Sequence, residues 1–418
     1  RILQSLINSP TLEVLRMPKY RMIWYFGVLT EIGRQMELLV LGWLLLEITN
    51  SPLQFGVFFF ANNLPRPVFS IFTGLIADRF DRNKILWAGA LINVISGIVV
   101  FALIYVESIV PYHIFIASWI NGSCRAIEDP ARRTGVLDIV GERRIVNALG
   151  IDNFSQVSGK IFGPLIGGAM LSWQGFKGAY ITIAVIHLIT LIVSTRISIP
   201  KQVLTLTPES VAKSVTSGMK YVFTNKMILT MFYVTILMNG LAFEAFNFIP
   251  EIGKNYLFLS PFLAFFLVSS HGTGQAIGAL LISFTKNINR YGLWFFIGSV
   301  SILVVIILFS WSKVYILSIG LLFISGLGLS LFATMQSTIA MLYTPSDMRG
   351  RVMGLLSFCI GTGHLFALVI GWLAEMLGTP SALSLSAGIG LILIIPSIFV
   401  SPLGKKNYHD QIKPNQIA

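Results

Sequence analysis

Long apolar runs alternate with short polar connections along almost the whole chain. The runs 23–46, 56–77, 85–106 and 314–333 each approach or exceed the roughly 20 residues that a helix needs to cross a bilayer. The pattern predicts twelve such segments, named spans 1 to 12 in chain order. Their predicted bounds are 22–46, 53–77, 85–106, 111–131, 145–171, 178–197, 227–249, 256–284, 291–311, 314–342, 352–374 and 381–401. The pattern therefore indicates an all-α polytopic membrane protein.

The polar connections divide the spans into two groups of six. The longest connection contains Thr-Pro-Glu-Ser at 207–210, which is typical of a helix start. Residues 211–223 have the spacing of an amphipathic helix that lies on the membrane surface. We therefore predict an N-terminal bundle at 1–197, a cytoplasmic linker at 198–226, a C-terminal bundle at 227–401 and a cytoplasmic tail at 402–418.

The composition excludes an ordinary soluble domain. Of the 418 residues, 55% are hydrophobic and only 11% are charged, against roughly 25% charged residues in soluble domains. The net charge of +12 does not indicate a nucleic-acid partner, because the charges follow the predicted topology. Of the 30 Lys and Arg residues, 23 fall on the side of both termini, and only Lys177, Lys254 and Lys313 fall in the opposite loops. The positive-inside rule predicts cytoplasmic termini and an inner-membrane location.

The sequence lacks the usual signatures of an enzyme. Cys124 and Cys359 lie in different halves, so neither a disulfide framework nor a metal site is expected. The glycine-rich stretch 272–278 follows no predicted strand and fits helix packing better than phosphate binding. No zinc-binding histidine pair and no nucleophile–base pair occurs at one depth. We therefore expect no cofactor, no metal and no catalytic residue.

A charged hairpin separates spans 2 and 3. Residues 74–86 read GLIADRFDRNKIL, with the charges confined to the turn. The segment resembles the loop between helices 2 and 3 of the major facilitator superfamily of transporters. The matching positions are Gly74, Leu75, Asp78, Arg79, Arg82 and Lys84. The segment around the end of span 8, at 278–294, weakly resembles this charged hairpin but lacks the aspartate.

Four other segments narrow the resemblance to one branch of that superfamily. They resemble segments of macrolide-efflux proteins and the enterobactin exporter, and they lie at 49–52 (TNSP), 64–65 (LP), 129–133 (DPARR) and 345–352 (PSDMRGRV). The resemblance implies two six-helix bundles that rock around a central site. It implies an exporter and does not define the cargo.

Span 5 carries small residues at four-residue spacing together with a proline. This pattern resembles an element that accompanies exporters and antiporters in the superfamily. It comprises Gly159, Gly163, Pro164, Gly167 and Gly168. Small residues also allow helices to approach closely, so an ordinary packing seam is the alternative. Lys160 departs from the pattern and requires a partner.

The resemblance also implies a cytoplasmic gate. Asp78 is expected to face the N-terminus of span 11, which carries a partial positive charge. Arg82 is expected to reach Glu128 or Asp129 at the end of span 4. The predicted gate comprises Gly74, Asp78, Arg79, Arg82, Glu128, Asp129, Arg349 and Arg351. A solvated basic turn that only sets the topology is the alternative.

Ionisable residues inside the spans are costly in a bilayer and are therefore functional candidates. Span 1 carries Glu31, Arg34 and Glu37, whose spacing allows Arg34 to pair with either glutamate. A buried carboxyl group can bind and release a proton near neutral pH, so both glutamates are candidates for proton coupling. We predict a water-accessible cavity that favours an anionic substrate and is lined by Arg34, Arg66, Arg125 and Lys160. A fully paired structural network is the alternative.

The C-terminal bundle has fewer polar residues. Asn239 and Gln275 are further candidates for the cavity, and Glu244 is predicted to lie near the wetter outer face. His271 and His364 are candidates for proton coupling, because imidazole titrates close to physiological pH. A structural, hydrogen-bonded role is the alternative for both histidines.

These observations predict a secondary active transporter. It would export a small amphiphilic or anionic organic compound, of the drug or siderophore class, by proton antiport with alternating access. Its partners would be the cargo, protons and the lipid bilayer, without nucleic acid, and the chain is expected to act as a monomer. Two alternatives stay open: an importer or lipid flippase of the same fold, and a membrane receptor or assembly factor that transports nothing.

Overall fold

The computed structural model describes residues 10–69, 81–141, 144–200, 211–285, 288, 290–345 and 348–405. Helices account for most of these residues, and no strand occurs among them. The chain divides into two compact units. The N-terminal unit comprises Arg1–Thr205 and Leu259–Ser269, and the C-terminal unit comprises Leu206–Phe258 and Ser270–Ala418.

The first half of the chain contains spans 1 to 6, preceded by a short helix, Pro10–Leu15. Prolines begin several of these helices, where the missing backbone N–H has no helical partner to lose. The helices are Pro18–Thr49 (span 1), Pro52–Asn63 with a helical continuation at 65–69 (span 2), Arg82–Tyr105 (span 3), Pro111–Val140 (span 4) and Ile145–Ser194 (spans 5 and 6). Gly175 separates spans 5 and 6 with a φ of 65°, a conformation that favours glycine.

The second half of the chain contains spans 7 to 12. Span 7 is interrupted by a 3₁₀ segment, Phe243–Phe248, because Pro250 has no N–H to donate to the carbonyl of Phe246. A second 3₁₀ segment, Gly363–Leu365, interrupts span 11. The helices are Val211–Thr224 ahead of span 7, Lys226–Leu241 and Ile249–Asn255 (span 7), Pro261–Phe284 (span 8), Tyr291–Ser310 (span 9), Tyr315–Leu342 (span 10), Arg349–Thr362 and Phe366–Leu377 (span 11), Thr379–Val400 (span 12) and Pro402–Lys405.

Eight helices among the described residues are long and apolar enough to cross a membrane. One of them, Asn147–Ser194, contains both span 5 and span 6. The other three spans fall outside this set because spans 1 and 4 carry internal charges and the description of span 2 ends at residue 69. Each predicted span therefore corresponds to a helix, although some ends differ. Span 8 begins at Pro261 and not at 256, and span 4 continues to Val140 and not only to 131.

The glycines of span 5 form a close seam with span 1. A Cβ atom at Gly159 would lie 2.7 Å from the Cβ of Glu31, and one at Gly163 would lie 2.7 Å from the Cβ of Gln35. Real Cβ atoms do not approach so closely, so only glycine allows this separation of the two helices. The seam therefore holds span 5 against the charged stretch of span 1.

The remaining small residues of the motif lie on the same helix. Gly167 continues the seam, because its Cβ would lie 3.1 Å from the Cγ of Met36. Gly168 faces Phe262 in the first turn of span 8, within the same unit, and Pro164 lies inside the helix. The motif therefore has a packing role, and its relation to antiport stays a prediction.

Candidate functional site

Arg34 lies at the centre of a buried ionic network in the N-terminal unit. Its Nη2 contacts the carboxylate of Glu128, and its Nη1 lies 3.2 Å from Asp129 Oδ1 and 3.7 Å from Glu31 Oε1. Arg34, Glu31 and Glu128 are each at most 3% exposed. Gly89 of span 3 faces the Glu128 carboxylate, where a Cβ atom would clash. Because buried charges require partners, span 4 supplies the carboxylates that stabilise this cation.

Arg125 extends the network to partly exposed side chains. Its Nη2 lies 3.7 Å from Glu31 Oε2, and its Nε lies 3.5 Å from Asp129 Oδ2. The side chain of Arg125 is 20% exposed and that of Asp129 is 28% exposed. The network therefore extends from buried side chains to partly exposed ones.

Two further cations accompany Arg125. Arg66 on span 2 is repelled by the charge of Arg125 and attracted by those of Asp129 and Glu31. Lys160 on span 5 is repelled by Arg125 and Arg66 and attracted by Glu31. Arg66 and Lys160 are partly buried. We name Arg66, Arg125 and Lys160 the cation cluster. Together with Arg34, the cluster places four cations against three carboxylates, an excess of one positive charge when all are ionised.

Glu37 does not join Arg34 among the described contacts, although the spacing along span 1 allows that pairing. Its Oε2 accepts a hydrogen bond from Asn121 Nδ2 at 2.9 Å and lies 3.2 Å from Nε2 of His187 on span 6. All three side chains are buried. Within the described part of the chain, Glu37 Oε1 and the hydroxyl of Tyr180 lack hydrogen-bond partners. A buried carboxyl group beside an imidazole is suited to exchange a proton.

Sequence reasoning missed His187. The residue lies 150 positions from Glu37, so helical spacing within one span cannot reveal the pair. The only available signal was an imidazole in the middle of the apolar run of span 6. Such a residue requires a polar partner on another helix.

The site residues predicted in the N-terminal half differ in exposure, and the cavity itself stays a prediction. Glu31, Arg34 and Glu37 are sealed within the N-terminal unit, whereas Arg125 and Asp129 are partly exposed. Glu31 packs against Gly159 of the glycine seam, where spans 1 and 5 approach closely.

Arg82 at the start of span 3 contacts the carboxylate of Asp138 near the end of span 4. The predicted pairing of Arg82 with Glu128 or Asp129 is wrong. Those carboxylates lie between roughly two and three helical turns before Asp138, and Arg34 holds both of them. The described contacts of Arg82 therefore stay within the N-terminal unit.

Three members of the predicted gate, Gly74, Asp78 and Arg79, lie outside the described residues. Arg349 Nε donates hydrogen bonds to the backbone carbonyls of Met341 and Thr344, each at 3.1 Å. Arg351 Nη1 lies 3.5 Å from the sulfur of Met348. The gate stays a prediction.

The amide candidates of the C-terminal unit take part in one bond within a helix and one bond between helices. Asn239 donates to the carbonyl of Thr235 at 2.9 Å, one turn back in its own helix. The backbone carbonyl of Gln275 accepts a hydrogen bond from Ser330 Oγ at 2.5 Å. These contacts position spans 7, 8 and 10 and do not by themselves indicate a substrate.

The histidine candidates have different surroundings. His271 stacks on Phe246 with 4.1 Å between ring centroids, and its Nδ1 lies 2.7 Å from Ser325 Oγ. His364 Nδ1 lies 2.5 Å from Oε1 of Glu244. Glu244 is 2% exposed, so the predicted wet position near the outer face is wrong. The break in span 7 places Glu244 against span 11.

The architecture and the network together define a class of protein. An all-helical membrane chain in two units, with paired ionisable groups inside its spans, has the construction of a secondary transporter. Among the described residues, no group of three or more His, Cys, Asp or Glu side chains is arranged to hold a metal ion.

The family model described as transmembrane secretion effector, of the major facilitator type, matches residues 9–417. The chain belongs to this family and is a transporter, not an enzyme. It is similar to the enterobactin exporter EntS of Shigella flexneri, with 26% identity over 328 residues that cover 77% of this chain and 76% of that protein. EntS of Escherichia coli O1:K1 / APEC matches with the same identity and coverage.

Solved transporter structures share the fold. The nucleoside transporter NupG superposes with a TM-score of 0.71 at 14% identity, over 91% of this chain and 98% of that one. A POT family transporter in complex with 5-aminolevulinic acid gives a TM-score of 0.75 at 13% identity, over 93% and 96% of the two chains. The predicted fold class, twelve helices in two six-helix bundles of a major facilitator transporter, is confirmed.

Proposed function

We propose that this chain exports a small amphiphilic or anionic organic compound, of the drug or siderophore class, by proton antiport with alternating access. The observation that carries the proposal is the cation cluster. Arg66, Arg125 and Lys160 converge from spans 2, 4 and 5, and Arg125 is partly exposed. A carboxylate, catecholate or phosphate group on the cargo would balance the excess positive charge.

The identity of the relatives supports an anionic cargo. The enterobactin exporters that resemble this chain carry a siderophore, as their name states. At 26% identity the same cargo is a hypothesis, and the cation cluster gives it a physical basis. We therefore infer that the cargo contains an acidic or catecholate group.

The proton-binding groups of the proposed antiport are carboxylates and imidazoles inside the spans. Glu37 is the strongest candidate of the N-terminal unit, because it contacts His187 and Asn121 and has no arginine among its described contacts. Glu31 is weaker in this role, because Arg34 and Arg125 each approach its carboxylate to 3.7 Å. The candidates of the C-terminal unit are His271 and His364.

The charge bias of the sequence supports the proposed orientation. With both termini in the cytoplasm of an inner-membrane protein, the basic connections between even- and odd-numbered spans remain on the side that positive residues prefer. We further propose that the chain acts as a monomer with bundle boundaries near 197 and 227.

Transport into proteoliposomes tests the proposal. Vesicles with an acidic interior and the full chain are incubated with enterobactin, with a macrolide or with a neutral nucleoside. We expect accumulation of enterobactin that collapses when a proton ionophore removes the pH gradient. Arg125→Gln should reduce this accumulation about tenfold or more, because a charged contact with the cargo is lost.

Lys177→Gln is the matched control. Lys177 is also a cation, but it lies between spans 5 and 6, two residues after Gly175, with a side chain that is 49% exposed and an Nζ atom 3.7 Å from Glu107 Oε1. Equal losses in both variants would contradict a role for Arg125 in the cargo site. Accumulation that is insensitive to the ionophore would contradict antiport, and movement in the opposite direction would indicate an importer.

A further inference from the structure

The C-terminal unit contains a carboxylate–imidazole pair of its own. His364 Nδ1 lies 2.5 Å from Glu244 Oε1, and the other carboxylate oxygen accepts a hydrogen bond from Asn247 Nδ2 at 2.8 Å. The Glu244 side chain is 3% exposed, whereas that of His364 is 22% exposed. The carboxylate is therefore buried, and the imidazole beside it is partly exposed.

Both partners lie where their helices are interrupted. Glu244 belongs to the 3₁₀ segment Phe243–Phe248 of span 7, and His364 belongs to the 3₁₀ segment Gly363–Leu365 of span 11. Interruptions of this kind inside long helices often mark hinges. Gly363 also faces span 7, because its Cβ would lie 2.5 Å from the Cβ of Asn239. The pair thus joins the two interrupted segments of spans 7 and 11.

We propose that Glu244 and His364 form a proton-binding site whose protonation fastens the interruption of span 7 to that of span 11. A protonated His364 beside an ionised Glu244 makes a charge-assisted hydrogen bond in a low-dielectric interior. Loss of the proton leaves a neutral imidazole and a weaker contact. Proton binding therefore strengthens the junction, and proton release loosens it.

No other charged side chain within the described residues forms an ion pair with Glu244. The remaining titratable residues of spans 7 and 11 are Lys226, Tyr233, Glu251, Lys254, Arg349, Arg351, Cys359 and Glu375. Glu251 accepts a hydrogen bond from Asn255 at 3.0 Å. Span 8 contributes His271, which stacks on Phe246, and spans 10 and 12 contain no Asp, Glu, Lys, Arg or His in their helices. His364 is therefore the group that sets the charge state of this junction.

The position of Glu244 parallels that of Glu37 in the other half of the chain. Glu37 lies 19 residues after Pro18 at the start of span 1, and Glu244 lies 18 residues after Lys226 at the start of span 7. Each is a buried carboxylate beside a histidine of a different span. Each half thus carries such a pair at a similar number of residues from the start of its first span.

The binding of a proton by Glu244 and His364 does not depend on the proposed function, and only the use of this proton in transport rests on it. Its binding can be measured without cargo, by infrared difference spectra of the full chain in proteoliposomes between about pH 5.5 and 8.5, which bracket imidazole titration. We expect a carboxylate–imidazole component that disappears in both Glu244→Gln and His364→Gln. Hydrogen exchange across 361–368 should slow on the order of tenfold at the lower pH, after correction for intrinsic rates, in the wild type only.

His113→Gln is the matched control, because His113 Nδ1 accepts from the backbone N–H of Val110 at 3.3 Å and has no carboxylate partner among its described contacts. It should lose only an isolated imidazole component and keep the pH-dependent exchange. Asn247→Ala provides a milder variant in case the glutamine variants do not fold, and should shift the shared component without removing it.

Spectra of Glu244→Gln or His364→Gln that keep the shared component would overturn the proposal. An unchanged component in Asn247→Ala would do the same, since that amide bonds the carboxylate. If the component is present but no pH gradient drives cargo, the proton site stands and the proposed antiport fails.

Discussion

Glu37 Oε2 and His187 Nε2 lie 3.2 Å apart in the interior of the N-terminal unit and join span 1 to span 6. Both side chains are almost fully buried. The pair differs from the neighbouring Arg34 network, whose carboxylates face an arginine, a side chain that stays charged. Glu37 faces an imidazole, a group that can exchange a proton, whereas the loss of a carboxylate beside Arg34 would leave a buried cation with fewer partners.

The substitution Glu37→Gln tests this distinction. Glutamine keeps the shape and the hydrogen-bonding capacity of the side chain but cannot exchange a proton. We expect gradient-driven accumulation of cargo to fall about a hundredfold, the loss typical of removing a group that transfers a proton. Exchange of labelled for unlabelled cargo at equal pH should continue near the wild-type rate, because it requires no net proton movement.

Glu47→Gln is the control for that experiment. Glu47 lies on the same helix but is exposed, and its Oε1 accepts a hydrogen bond from Trp43 Nε1 at 2.8 Å. Both transport modes should be unaffected by it. If Glu37→Gln abolished exchange as well as accumulation, Glu37 would be a structural residue.

The Arg34 network should dominate the stability of the N-terminal unit. Arg34→Met leaves Glu128 as an unpaired buried charge, and breaking such a pair costs about 3–5 kcal/mol. The double variant Arg34→Met/Glu128→Leu should lose less stability than Arg34→Met alone, because it removes the orphaned carboxylate. Thermal unfolding of purified protein in detergent measures both. Additive losses would show that the two residues do not interact.

Two glycine-to-alanine substitutions in one helix should change the stability in opposite directions, because only one of the two glycines lies in the seam. Gly163→Ala should destabilise by about 1–3 kcal/mol, since its Cβ would lie 2.7 Å from the Cβ of Gln35 and spans 1 and 5 must separate. Gly150→Ala should stabilise by up to about 1 kcal/mol, because no atom lies within 4 Å and alanine favours the helix. The same unfolding assay compares them, and equal effects would exclude a tight seam.

The helices could be predicted from the sequence because the bilayer imposes a simple rule on length and hydropathy. The buried charges on span 1 could also be found, because Glu31, Arg34 and Glu37 interrupt an apolar run. The side chains that pair with these charges could not be predicted. Arg34 meets Glu128 across a distance of 94 residues, and helical spacing contains no information about which helices become neighbours.

The interruptions of spans 7 and 11 also escaped prediction, although Pro250 provided a signal for the first. A proline in an apolar run disfavours the helical bond one turn earlier, and Glu244 lies within the affected segment. For the second interruption, Gly361 and Gly363 provide only low helix propensity. Without these breaks, Glu244 is placed near the wet end of a regular helix, which is why its burial was not expected.

The contact between Arg82 and Asp138 allows a test of which carboxylate is the functional partner of Arg82. The structure pairs these side chains, which are 11% and 4% exposed, whereas the family resemblance implied Glu128 or Asp129 as the partner of Arg82. Arg82→Asp should reduce both stability and transport, because it places two carboxylates together in a largely buried site. The charge reversal Arg82→Asp/Asp138→Arg should restore most of the loss. Combining Arg82→Asp with Asp129→Arg should restore neither stability nor transport.

Rescue by that second combination would show that Asp129 is the functional partner. Unfolding midpoints and proteoliposome uptake, measured on the wild type and these three variants at equal protein content, separate these outcomes.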